Sequence, residues 1–163
     1  MNEKELKLIK KAILNEVEGY QFYKMAAKDS VNEETSRTFM LLADEEEKHV
    51  EWLNDLLKHL AKDPETRFDL AHLPEVPSPE IFRWDNLQEE DANRALSVFS
   101  IGMQMERASF EFYEKGIEET DNEDLKQLFD ILAKWERAHY DQFREEYEKL
   151  EQDFWAEQQF APF

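Results

Sequence analysis

Apolar residues recur at three- and four-residue steps over four long stretches, and each stretch presents one apolar face, which predicts four helices. The first runs from about Glu3 to Lys28, with Ile9, Ala12, Glu16, Gly19, Tyr20, Tyr23 and Ala27 on one face. The second runs from about Glu33 to Ala61 and carries Phe39, Leu42, Glu46, His49, Leu53, Leu56 and Leu60 on its face. The third begins after Asp91, a predicted N-cap, and reaches about Glu119; its face is Leu96, Phe99, Met103, Glu106, Phe110, Tyr113 and Ile117. The fourth runs from about Glu123 past Tyr147, with Leu128, Leu132, Glu136, His139 and Phe143.

Short polar links at Asp29–Asn32 and Thr120–Asn122 imply two antiparallel hairpins. The middle connection is long: residues 64–91 contain Pro64, Pro74, Pro77 and Pro79 and read as a crossover, within which Ser78-Pro79-Glu80 is expected to cap a short helix. The pattern predicts one all-α domain over residues 1–163, a four-helix bundle with hairpins at about 3–63 and 92–150 and an aromatic tail at 151–163. The tail's Phe154, Trp155, Phe160 and Phe163 are expected to dock on the bundle or on a second subunit.

The two hairpins repeat one another. A gapless shift of 90 residues lays Glu16 on Glu106, Phe22-Tyr23 on Phe112-Tyr113, and Phe39 on Phe129. It also lays Leu42-Ala43 on Leu132-Ala133, Glu46 on Glu136 and His49 on His139. Such halves are expected to pack about a pseudo-twofold axis.

This repeat carries the candidate chemistry. Each half offers one glutamate on its first helix and a Glu-x-x-His on its second, and a spacing of three puts that Glu and His one above the other. Glu46 and His49 continue the seam of Leu42 and Leu53, Glu136 and His139 lie between Leu132 and Phe143, and Glu16 and Glu106 lie on apolar seams of their own. All six therefore face the core. Several buried, unpaired carboxylates would cost several kcal/mol each, and no lysine or arginine shares these faces. Two divalent cations balance four carboxylates, and carboxylate oxygen with imidazole nitrogen suits iron or manganese. In such a site two carboxylates bridge the ions, and each ion takes one histidine and one terminal carboxylate.

Composition narrows the function classes. A net charge of −19 argues against nucleic acid and anionic membranes. The absence of cysteine excludes disulfides, thiolate zinc sites and iron–sulfur ligation. No stretch resembles a signal peptide or a membrane span, so a cytoplasmic protein is the expectation.

The segment from Glu16 through Tyr23, followed by Ala43-Asp44-Glu45-Glu46-Glu47-Lys48-His49, resembles the first half of a rubrerythrin-type ferritin-like domain. Met105-Glu106 through Phe112-Tyr113, then Trp135 through His139, resembles the second half. The resemblance covers most of residues 5–150. It implies two irons on Glu16, Glu46, His49, Glu106, Glu136 and His139; manganese or zinc remain open from the ligand chemistry alone. It also implies reduction of hydrogen peroxide or oxidation of ferrous iron by oxygen or peroxide. Two departures are informative. Rubrerythrins carry a cysteine-bound rubredoxin iron that this chain lacks, so electrons are expected from an external donor such as a rubredoxin-like protein. Rubrerythrins also have a further glutamate at the position of Ser109, which puts their peroxidase cycle in question and leaves a symmetrical six-ligand set resembling the bacterioferritin centre. Glu47 stands where bacterioferritin has its haem-binding methionine, so no haem is expected.

Other residues read as follows. Tyr23 and Tyr113, seven residues after Glu16 and Glu106, are candidates to hydrogen-bond a ligand carboxylate or supply an electron, or are simply core tyrosines. Gly19 and Ser109 either leave room for an oxidant or allow close helix packing. Glu18, Glu45 and Glu47 read as solvated charge, His59 and His72 as surface or packing residues, and Met103 and Met105 as core filler. The expectation is a redox enzyme and a homodimer. A structural zinc or manganese bundle is the alternative, and oxygenase chemistry a third reading.

Overall fold

The computed structural model describes residues 1–30, 33–63, 66–71, 73 and 89–157. It contains four helices: α1 (Glu3–Asp29), α2 (Glu33–Lys62), α3 (Glu89–Glu119) and α4 (Glu123–Glu157). Asn2 starts α1 through a reciprocal capping box. Its Oδ1 accepts from the Glu5 amide at 2.9 Å, and Glu5 Oε2 accepts from the Asn2 amide at 2.8 Å. The turn into α2 is tied down by hydroxyls: Ser30 Oγ donates to the Ala26 carbonyl at 2.7 Å and Ser36 Oγ to the Ala27 carbonyl at 2.8 Å. At the start of α4, Asn122 Oδ1 accepts from the Leu125 amide at 2.9 Å, the role of an N-cap.

Two boundaries differ from the sequence expectation. Helix α3 starts at Glu89, so Asp91 lies in its first turn rather than before it. Helix α4 continues to Glu157, so the first seven residues of the aromatic tail are part of that helix. Phe160, Phe163, His72, all four crossover prolines and the Ser78-Pro79-Glu80 segment lie outside the described residues.

α1 lies close against α2 and α3 against α4, whereas the backbones of the two hairpins approach at few points. The wider layer between hairpins is filled by large side chains and by the polar cluster. Tyr23 of α1 reaches Glu106 of α3, and Tyr113 of α3 reaches Glu16 of α1, so these helices run antiparallel. Helix α2 is antiparallel to α1 across its short link and therefore runs parallel to α3. The connection from Lys62 to Glu89 must then cover the length of a 30-residue helix, about 45 Å at the usual rise. Its first residues are pinned to α4: the Phe68 amide donates to Asp124 Oδ2 at 3.0 Å and Arg67 Nε pairs with Asp124 Oδ1 at 2.6 Å.

The core falls into two clusters on either side of the polar layer. One holds Ile9, Leu53, Leu56, Leu125, Leu128 and Leu132; the other holds Tyr23, Phe39, Leu42, Phe99 and Phe143. Among the described residues no helix is long and apolar enough to cross a membrane.

Candidate metal centre

Helix periodicity alone explains why six polar side chains meet. Glu16, Glu46, Glu106 and Glu136 occupy inward positions of four different helices, with His49 and His139 one turn beyond Glu46 and Glu136. Each of the six is 3% exposed or less. His49 Nδ1 lies 3.0 Å from Glu16 Oε2, 3.1 Å from Glu136 Oε1 and 3.8 Å from Glu46 Oε2. His139 Nδ1 lies 3.5 Å from both Glu46 Oε1 and Glu106 Oε1, and 3.9 Å from Glu136 Oε2. Two sets of donor atoms result, each within 4.8 Å of one another: Glu16, Glu46, His49 and Glu136, and Glu46, Glu106, Glu136 and His139. Glu46 and Glu136 fall in both sets, which places them between the two positions. Glu16 with His49, and Glu106 with His139, each serve one.

Burial and mutual repulsion decide the charge state of the protein groups on their own. Burial pushes the Glu46 carboxyl well up, and the Glu16 and Glu106 charges push it further. Glu136 is raised in the same way by burial and by Glu46, Glu16 and Glu106. Burial would also raise Glu16, but the hydrogen bond and charge of His49, with bonds involving Glu46 and Tyr113, hold it below the ordinary carboxylate range. Glu106 is held down against burial by Glu136, His139 and Tyr23. For His49, burial favours the neutral ring, yet Glu16 and Glu46 push it up to about 10. His139 rises well above its usual value against burial, through Glu106, Glu45 and Glu136. The protein groups alone thus settle on two imidazolium rings, two ionised carboxylates and two neutral carboxyls, with no net charge.

The same neutrality is reached with four ionised carboxylates, two neutral imidazoles and two divalent cations. The donor set fits that alternative better. Glu46 Oε1 has no hydrogen-bond donor among the described residues, and Glu136 Oε1 lacks an aligned one despite lying 3.1 Å from His49 Nδ1. Buried carboxylate oxygens without a donor are costly, and a cation between the helices satisfies both at once.

The tyrosines are more than core filler. Tyr23 Oη donates to Glu106 Oε1, and Tyr113 Oη donates to Glu16 Oε1, each from the opposite hairpin. Burial and the adjacent carboxylates push both phenols well above their usual value, so both remain donors. Gly19 proves to be a close-approach position. A β-carbon there would lie 3.3 Å from Glu46 Oε2 and 3.4 Å from its Cδ. The glycine therefore makes room for a ligand carboxylate, and a bulky residue would displace Glu46. Ser109 is half-buried, and Glu18 and Glu47 are exposed as expected. His59 is a packing residue, its ring 5.4 Å from Phe68 and its Nε2 2.7 Å from the Thr66 carbonyl.

Glu45 departs from its sequence reading. It is not solvated charge: its Oε2 lies 2.8 Å from His139 Nε2, on the side of the ring away from the cluster. The signal for this was the repeat itself, which sets Glu45 opposite Trp135, an aromatic residue and only 4% exposed. A position that is buried in one copy is a poor candidate for free solvation in the other.

A four-helix bundle that aims two overlapping sets of glutamate and histidine donors into its middle is a ferritin-like carboxylate bundle. The rubrerythrin family model matches residues 7–147, and the chain belongs to that family. Family membership points to a di-iron carboxylate protein, and the buried cluster could hold the metals. Among solved structures the chain resembles a hypothetical protein from Pyrococcus furiosus, with 29% identity over 88% of this chain and 87% of that one, and a TM-score of 0.64. No curated protein matches the chain.

Proposed function

We propose that Glu16, Glu46, His49, Glu106, Glu136 and His139 hold two irons, and that the protein is an oxidoreductase using them on hydrogen peroxide or oxygen. The observation that carries this reading is the pair of donor sets sharing Glu46 and Glu136. That arrangement suits two ions held side by side, the geometry two-metal chemistry requires. Bound iron supplies the electrons by cycling between its ferrous and ferric states.

The chain's own residues set the conditions. Glu46 and Glu136, which belong to both donor sets and come from different hairpins, would serve both ions and tie the hairpins together. Tyr23 and Tyr113 fix the orientation of Glu106 and Glu16 by donating from the far hairpin. The aromatic and aliphatic clusters above and below exclude bulk water, which strengthens every charge interaction in the layer. Peroxide reduction consumes two electrons and two protons and yields two waters. These residues contain no cysteine, so in the peroxidase mode the electrons come from an outside donor such as a rubredoxin-like protein. In the ferroxidase mode ferrous iron is itself the donor.

The test is anaerobic reconstitution with ferrous iron, followed by mixing with peroxide or oxygen. Two irons per chain and oxidation on mixing are expected. Rapid re-reduction by added rubredoxin identifies the peroxidase mode; release of ferric iron identifies the ferroxidase mode. Protein that takes up no iron pair, or a loaded pair inert to both oxidants, ends the proposal and leaves a structural metal bundle.

A further inference from the structure

The six donors obey the 90-residue repeat, but their surroundings do not. The outer nitrogen of His139 faces a carboxylate, Glu45 Oε2, at 2.8 Å. The outer nitrogen of His49 has no hydrogen-bond partner among the described residues. Its ring lies instead in an aromatic corner, with centroids 5.1 Å from Trp52 and 5.2 Å from Trp135, the two indoles themselves 5.9 Å apart and edge to face. Both differences fall on repeat-related positions: Glu45 corresponds to Trp135, and Trp52 to Gln142. One histidine is thus backed by Glu45, while the other is backed by two tryptophans.

This difference has a direct consequence for metal binding. A histidine that ligates through Nδ1 carries its proton on Nε2. A carboxylate accepting that proton fixes the tautomer, holds the ring in place and raises the electron density on Nδ1. An imidazole that donates to nothing gains none of these, and binding at it leaves a buried N–H unpaired. Loss of such an outer partner typically weakens a metal about 10–100-fold.

We propose that the two metal positions are inequivalent: the His139 position, braced by Glu45, binds its ion more tightly and fills first, while the His49 position, boxed by Trp52 and Trp135, holds its ion loosely and exchanges it. The inference rests on the two-metal reading above. It assigns the chain an ordered loading sequence and makes Glu45 a positioning residue that acts through His139.

The experiment uses cobalt(II) as the probe, a stable divalent ion with a usable anomalous signal. Full-length protein is crystallised with one equivalent per chain, and the anomalous occupancy at the two positions is compared. A preference of about ten-fold or more for the position beside His139 is expected. Glu45→Gln keeps the shape of a side chain that is 13% exposed and removes only its charge, so in this variant the occupancies should move toward equality. Equal occupancy in the wild type overturns the proposal, and so does an unchanged preference in Glu45→Gln. Failure to bind two ions even at saturating cobalt would overturn the metal-centre reading itself, an outcome distinct from two ions bound alike.

Discussion

At one end of the bundle Ile9, Leu53, Leu56, Leu125 and Leu128 fill the core; at the other, the positions that repeat them hold Phe99, Phe143, Glu146, Thr35 and Thr38. Between the ends, the polar layer is the same in both halves: Glu16 and Glu106, Tyr23 and Tyr113, Glu46 and Glu136, His49 and His139. The contrast separates two kinds of demand. A core needs volume and apolar surface, and many combinations supply them, here leucines at one end and stacked rings with alanines at the other. A cluster of metal donors needs particular atoms at particular places, and a pseudo-twofold pair of positions needs them twice. The layer kept every donor through the repeat, whereas the ends kept it only at scattered positions such as Phe39 and Phe129 or Leu42 and Leu132; and even in the layer it holds only as far as the donors, since Glu45 and Trp135 already differ.

The largest expected effect concerns this shared layer. The folded chain holds protons on His49, to about 10, and on His139, Glu46 and Glu136, all raised above their ordinary values. Groups raised on folding contribute stability that is full below their unfolded values and is lost as pH rises through the folded ones. Glu16 and Glu106 are shifted the other way, and their change falls below 4.5, outside this window. Metal-free protein should therefore lose stability as pH climbs above about 4.5, where Glu46 and Glu136 begin to contribute, and on through 6.5 toward about 10 as the histidines do. Binding two divalent ions displaces those protons, about four per pair, from two rings and two carboxyls. Metal at a thousand times its dissociation constant adds about 4 kcal/mol per ion, and the gain grows with pH. Calorimetric melting should show stability falling with pH in chelator but, in excess metal, rising up to about 6.5 and level above it; parallel slopes would contradict the charge assignment.

Next come the two ends. Leu53→Ala should cost about 2–5 kcal/mol and Phe143→Ala about 3–5 kcal/mol, by lost transfer energy and cavity formation. The residues are repeat-related and both 2% exposed or less. Phe143 stacks on Tyr23 at 5.8 Å and tilts against Phe99 at 5.6 Å, so its loss loosens a connected aromatic group. The polar layer stands between the clusters, and the double variant should be additive within about 0.5 kcal/mol. Urea unfolding of the four proteins measures this, and a coupling above about 1 kcal/mol would show that the ends communicate through the layer.

The donors and the hairpins were readable from the chain because both are matters of period. Glu16, Glu46, His49, Glu106, Glu136 and His139 lie on apolar seams, and the repeat doubles every signal. What was not readable depends on how the helices are set against each other. Glu45 sits one residue before a ligand, on the flank of its helix, where only the placement of α4 decides between water and His139. Gly19 reads either as space for an oxidant or as a point of close helix packing, and only the approach of α2, which puts Glu46 against it, decides for the packing. The order of the antiparallel helices across the bundle likewise emerges from Tyr23 and Tyr113 reaching over to Glu106 and Glu16, a contact no linear pattern contains.

The smallest effect, and the finest probe of the two ends, lies in the glycines of α3. A β-carbon at Gly116 would sit 2.6 and 2.7 Å from the ring of Phe129; one at Gly102 would sit 3.2 Å from the ring of Phe143. The corresponding residues of the first half are alanines, Ala26 and Ala12, so alanine is not foreign to either position in the repeat. Alanine gains about 1 kcal/mol over glycine in a helix, while overpacking costs about 1–3 kcal/mol. At Gly102 the ring edge has to give by only a few tenths of an ångström, and the two terms should nearly cancel. At Gly116 the ring must move, and it cannot move alone: Phe129 is fully buried, with Tyr113 5.0 Å and Phe112 6.0 Å away. Any shift presses on Tyr113, which donates to Glu16. Gly116→Ala should thus be less stable than Gly102→Ala by about 1 kcal/mol in urea unfolding. Equal stability of the two variants would mean that the leucine-rich end yields as easily as the aromatic one, and that the difference between the ends is one of composition without one of rigidity.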